Sequence, residues 1–124
     1  MKLKNLVPIL SVADVAKSIE FYRDALNFEV KDTYEPEGEI CWAFLQFEEV
    51  ELMLEKLEAS NYRKYATFYF YPDDLEELHS YLKKRGYPVS EPQVTFYEMK
   101  EFGLKDPDGY YLMFAQETAE VSAA

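Results

Sequence analysis

The chain has 124 residues, 48% of them apolar, which is enough for one compact domain with a real core. Asp and Glu number 24 against 13 Lys and Arg, a formal charge of −11 that opposes polyanionic partners, so neither nucleic acid nor an anionic membrane surface is expected. That balance suits a cationic ligand, although it also serves simply to keep a surface solvated.

The N-terminus, MKLKNLVPIL, carries no signal-peptide cleavage pattern, and no run of about 18 apolar residues occurs anywhere, so a cytoplasmic protein is expected. Strand signals cover Asn5–Val12. A helix follows, led by Asp14, with Val15, Ile19, Tyr22 and Leu26 at helical spacing and Asn27 at its exit. Strands are then read at Phe28–Tyr34, Ile40–Phe47 and Val50–Lys56. Cys41, the one cysteine, excludes an intramolecular disulfide and reads as a small core residue.

Glu48-Glu49 forms a two-residue loop between the third and fourth strands. It pairs Phe47 with Val50, Leu45 with Leu52 and Ala43 with Leu54 on one apolar face, which should pack on a helix. The opposite face pairs Gln46 with Glu51, Phe44 with Met53 and Trp42 with Glu55. Such a mixture of aromatics, thioether and carboxylates is either a wet surface or the wall of a polar-lined cavity.

Residues 58–64 (EASNYRK) make a polar link. Strand Tyr65–Tyr71 follows, then a helix led by Asp73 with Leu75, Leu78 and Leu82 on one stripe and Gly86 at its exit. His79, the only histidine, reads as a partly exposed residue beside that stripe. Strands at Glu91–Tyr97, Met99–Lys105 and Tyr110–Gln116 complete the chain. Between the last two, Asp106-Pro107-Asp108-Gly109 is a tight-turn signal: Pro107 presets φ, the Asp side chains cap amides, and Gly109 accepts positive φ.

Asp14, Asn27 and Val30 stand 59 residues before Asp73, Gly86 and Val89. A constant offset over a helix and its exit marks a duplicated unit. The fold class is therefore α+β, a single domain over 1–124 built of paired βαβββ modules, module one about 1–57 and module two about 65–117.

VPILSVADVAKSIEFYRDALNFEV near the start and YEMKEFGLKDPDGYYLMF near the end, together with the repeat, resemble the vicinal oxygen chelate superfamily of glyoxalases, extradiol dioxygenases, fosfomycin-modifying enzymes and bleomycin resistance proteins. The resemblance implies mixed sheets curled around a concave, ligand-binding cavity, and a homodimer. The metal-ligand positions of the family's enzymes fall on Val7, Thr67, Met113 and Met53 or its neighbour Leu52. None is a good ligand for a catalytic divalent ion. No metal, no other cofactor and no catalytic residue is therefore expected, which points to the branch that sequesters drugs, closest in character to bleomycin resistance proteins. Trp42-Ala43-Phe44-Leu45-Gln46 and Leu52-Met53-Leu54-Glu55 resemble their central hairpin.

The candidate ligand-binding residues are Trp42, Phe44, Glu51, Met53, Glu55, Tyr69, Tyr97 and Met113, with Tyr71 sharing the parity of Tyr69. Rings stack on planar ligands or attract cations, and carboxylates pair with positive groups. Taken singly, each tyrosine reads more simply as a packing or interface residue. Three functions remain open: sequestration of a small, aromatic, cationic drug or metabolite; a glyoxalase-like lyase or dioxygenase with a displaced metal site using Glu51, Glu55 and Glu101; and a ligand-free structural or regulatory domain.

Overall fold

The computed structural model describes residues 1, 4–57, 66–95 and 98–119. The chain divides into two compact units, Met1–Tyr62 and Arg63–Ala124. The first runs β1 (Ile9–Val12), α1 (Val15–Leu26), β2 (Glu29–Tyr34), β3 (Trp42–Phe47) and β4 (Val50–Lys56). The second repeats the order with β5 (Thr67–Phe70), α2 (Leu75–Lys84), β6 (Gln93–Val94), β7 (Met99–Lys105) and β8 (Tyr111–Glu117). Each unit makes a mixed four-stranded sheet, β1-β4-β3-β2 and β5-β8-β7-β6, with the outer pairs β1/β4 and β5/β8 parallel and the rest antiparallel. This is the expected α+β fold of βαβββ units.

In the first unit, α1 lays Val15, Ser18, Ile19, Tyr22 and Ala25 against the sheet. Ala25, rather than the half-buried Leu26, closes that stripe. Asp14 caps the helix by accepting from the Lys17 amide at 3.2 Å, and Asn27 ends it at φ 62°, a left-handed position that Asn tolerates. The opposing layer is Leu10, Val12, Ala43, Leu45, Leu52 and Leu54, all buried. Strand β1 is shorter than its apolar pattern. Pro8 has no N–H to give, and its carbonyl takes the Met53 amide at 2.9 Å where the ladder begins.

Three readings of the second unit need correction. The helix cap is Asp74, whose carboxylate accepts from the Glu77 amide at 3.1 Å, so Asp73 lies one residue outside. Gln116 causes the shift: its Oε1 accepts from the Leu75 amide at 2.9 Å and its Nε2 donates to the Asp73 carbonyl at 2.6 Å. His79 is a core residue, only 6% exposed, and with Leu75 and Leu82 it forms the buried stripe in place of Leu78. Its Nε2 meets the Ser90 carbonyl at 3.1 Å and its ring lies edge-on to Phe102 at 5.0 Å. Of the strand expected over Glu91–Tyr97, the described residues pair with β7 at Gln93–Val94, and residues 96–97 lie outside them. Pro92 interrupts the ladder, and Ser90 instead joins β7 through its own N–H and Oγ, both to Gly103.

The DPDG turn folds as its residues require. Asp106 is buried, its Oδ1 accepts from the amides of Asp108 and Tyr110, both at 2.9 Å, and Gly109 takes φ 91°. Cys41 is half-buried just ahead of β3, outside the core layer.

Candidate functional site

The register of the central hairpin decides which side chains of the first unit share the open face. Across β3 and β4 the pairs are Trp42 with Glu55, Phe44 with Met53 and Gln46 with Glu51, all six half-buried, while their neighbours Ala43, Leu45, Leu52 and Leu54 turn inward. The flanking strands extend these pairs into rows. Strand β1 sets Ser11 beside Glu55 and Ile9 beside Met53. Strand β2 sets Tyr34 beside Trp42 and Asp32 beside Phe44, after a register shift between Val30 and Asp32. One row of the sheet therefore reads Tyr34, Trp42, Glu55, Ser11, and the next reads Asp32, Phe44, Met53, Ile9.

The two carboxylates of β4 are held in place. Buried Ser11 donates from Oγ to Glu55 Oε1 at 3.2 Å, and Asn5 donates from Nδ2 to Glu51 Oε1. A carboxylate has lone pairs for several donors, so each of these retains acceptor capacity toward the open face. A half-buried indole beside an anchored carboxylate is suited to a flat ligand that carries positive charge.

In the second unit, Tyr69, Met113 and Gly103 form one row, and Thr67, Tyr111 and Lys105 the next. Met113 is half-buried and Tyr69 is exposed. The Met113 thioether lies over Gly103 so closely that a Cβ there would sit 2.9 Å from Sδ and 3.2 Å from the Tyr111 ring. Tyr97 lies outside the described residues. The structure thus brings Trp42, Phe44, Glu51, Met53 and Glu55 onto one face of the first unit, and Tyr69 and Met113 onto one row of the second. Ser11, Asn5 and Tyr34 were missed by sequence reasoning. Tyr34 becomes visible only once the β2 register shift is known, and the two donors precede α1 with no local mark of where they reach.

The metal-ligand positions do not fit a divalent ion. Val7 and Met53 of the first unit and Thr67 and Met113 of the second offer neither carboxylate nor imidazole. Among the described residues no three His, Cys, Asp or Glu side chains group closely enough to hold one. Glu101 sits half-buried between Gln93 and Ala115 in the second unit. The groups with clearly perturbed titration lie at the margins. Glu29, at the edge of the first sheet, is held below its ordinary 4.5 by the hydrogen bond and charge of Lys31, and Glu91 likewise by Lys83. Among the described residues no helix is long and apolar enough to cross a membrane.

The model of the Glyoxalase/Bleomycin resistance protein/Dioxygenase superfamily matches residues 4–114. A search of curated proteins returns no match. Solved structures share the fold at low identity. TnmS3, an antibiotic binding protein from Streptomyces sp. CB03234, superposes with a TM-score of 0.78 at 19% identity, covering 94% of this chain and 98% of its own. A bleomycin resistance determinant encoded on the transposon Tn5 gives 0.77 at 20%, covering 93% and 98%. Lactoylglutathione lyase from Agrobacterium tumefaciens gives 0.76 at 18%, covering 96% and 98%.

Proposed function

The chain belongs to the Glyoxalase/Bleomycin resistance protein/Dioxygenase superfamily, and from that premise we propose that it is a cytoplasmic, homodimeric protein that sequesters a small, aromatic, cationic drug or metabolite without a metal and without turnover. The observation that carries this reading is the row Tyr34, Trp42, Glu55, Ser11, which sets an indole between a phenol and a carboxylate whose position Ser11 fixes. Phe44, Met53 and Glu51 extend the same face, and Tyr69, Tyr97 and Met113 are the contributions proposed for the second module. A net charge of −11 raises the local concentration of a cation. The non-ligating residues at Val7, Thr67, Met53 and Met113 favour binding over metal-assisted chemistry. The fold shared with TnmS3 and the Tn5 determinant is compatible with antibiotic binding, and resistance by sequestration is the role this implies.

Trp42 is the only tryptophan, so its fluorescence reports on the site directly. Titration with bleomycin and a panel of cationic aromatic antibiotics should quench or shift that emission with saturation at one ligand per site. Trp42→Ala should cost about 1–3 kcal/mol of calorimetric affinity, the range for an aromatic anchor. Glu51→Gln combined with Glu55→Gln should weaken binding mainly at low salt. EDTA should leave binding unchanged. If stoichiometric zinc, nickel or manganese copurifies, or if EDTA abolishes binding, the metal-dependent enzyme takes the place of this reading.

A further inference from the structure

Aromatic rings on the described surface of the second unit divide into two kinds. Some give a face to the protein's own cations: the Lys105 ammonium sits 5.4 Å from the centre of the Tyr111 ring, and the Arg85 guanidinium 4.3 Å from that of Tyr81. Tyr69 and Tyr71 are different. They pair with each other, ring centres 6.3 Å apart and planes only 22° from parallel, while Tyr69 is 45% and Tyr71 71% exposed. Tyr69 shares its row with Met113, and Tyr71, one residue past the end of β5, lays its ring alongside that of Tyr69. The two planes are close enough to parallel for one flat group to lie along both.

The residues that follow the pair in the chain carry negative charge. Pro72 leads from Tyr71 directly to Asp73 and Asp74, both exposed. The Asp74 carboxylate accepts one amide at the start of α2 and keeps acceptor capacity. Electron-rich phenol faces beside two carboxylates favour a flat cation over a neutral or anionic ring. In the same row, the Met113 thioether lies over the bare backbone of Gly103.

The geometry points to a second aromatic subsite, in which Tyr69 and Tyr71 stack a planar cationic group, with Asp73 and Asp74 supplying the counter-charge. It rests on the sequestration reading for the class of ligand, but it is built wholly from the second unit and does not involve Trp42. The ligand this implies carries more than one flat ring system, or binds in more than one copy per chain.

Thioflavin T, a flat aromatic monocation whose emission rises when its rings are clamped, is a direct probe. The titration is run on the Trp42→Ala protein, so that the first-unit site is removed from the signal. Saturable binding is expected there. Adding Tyr71→Ala should weaken it about tenfold or more, the consequence of losing one stacking face, while Tyr71→Phe should retain it. Tyr69→Ala should match Tyr71→Ala, and Asp73→Asn should weaken binding only at low salt. The subsite is refuted if the Trp42→Ala protein binds no thioflavin T, or if Tyr71→Ala and Tyr69→Ala bind as tightly as their parent. Either result leaves the sequestration reading standing as long as Trp42 emission in the unsubstituted protein still responds to its antibiotic ligand.

Discussion

Replacing Gln116 by Leu should destabilise the second unit far more than removing the cap residue of α2. The side chain is buried and bridges β8 to the start of the helix, accepting from the Leu75 amide at 2.9 Å and donating to the Asp73 carbonyl at 2.6 Å. Leucine fills similar volume, so the loss is one of hydrogen bonding rather than packing. The Leu75 N–H is left in an apolar setting, which costs about 1–3 kcal/mol, and the part-buried Asp73 carbonyl adds about 1. A total of about 2–4 kcal/mol is a large share of the ~5–15 kcal/mol that holds a domain together. Asp74→Ala, which removes one exposed cap bond, should cost about 1. Urea unfolding followed by far-ultraviolet circular dichroism measures the difference, supported by hydrogen exchange at the α2 amides. Trp42 lies in the other unit and is a poor reporter of this loss. If Gln116→Leu comes within about 0.5 kcal/mol of the unsubstituted protein, the bridge is not what positions α2, and the account of its one-residue shift is wrong.

At the DPDG turn, Asp106→Ala should cost about 2–4 kcal/mol because two inward amides lose a charged acceptor, whereas Asp106→Asn, which keeps an oxygen at the same place, should cost about half as much in the same urea assay. His79→Leu should cost about 1 kcal/mol through the lost bond to Ser90, and His79→Ala about 2–4 through the added cavity. In both variants the Gly103 amide, which donates to Ser90 Oγ, should exchange faster, and unchanged protection there would refute the link. The Glu29 and Glu91 carboxyls, whose folded titration is depressed by Lys31 and Lys83, stabilise the fold above 4.5, and that contribution fades as pH falls through the depressed folded values. Carboxyl NMR titration should show Glu29 returning to its ordinary range in Lys31→Ala, and no movement would show that the pair is not formed in solution.

The register of β3 and β4 was legible pair by pair, because a period of two with small and apolar residues on one face and mixed chemistry on the other admits one register, but Phe47 and Val50, expected on the packed face, stay exposed beside the loop. The DPDG turn was legible for the same reason: its residues are chosen by local backbone geometry. What escaped was decided at long range. Asp73 and Asp74 are equivalent caps by local pattern, and only Gln116, far along the chain, selects the second. His79 takes the core place of Leu78 because a carbonyl at Ser90 meets its ring nitrogen, and a backbone acceptor leaves no trace in composition. Of the candidate site, the β4 carboxylates and Trp42 followed from parity, whereas Ser11, which holds Glu55, lies on a strand paired in parallel across more than forty residues, and Asn5, which holds Glu51, precedes that strand.

If the first unit binds a ligand as proposed, that parallel pairing ties its grip to local opening. Strand β1 is four residues long, lies at the edge of its sheet, and carries Ser11. Leu10 and Val12 of the same strand belong to the buried layer, so lifting β1 costs their burial together with its parallel ladder to β4. When β1 lifts, Glu55 loses its tether, although the hairpin that carries Trp42 stays intact. A ligand that needs Glu55 held will therefore bind only the fraction of molecules with β1 closed, and its apparent affinity scales with that fraction. Substitutions that firm or loosen four residues near the N-terminus tune binding without touching the ligand, and a bound ligand in turn slows exchange of the β1 amides.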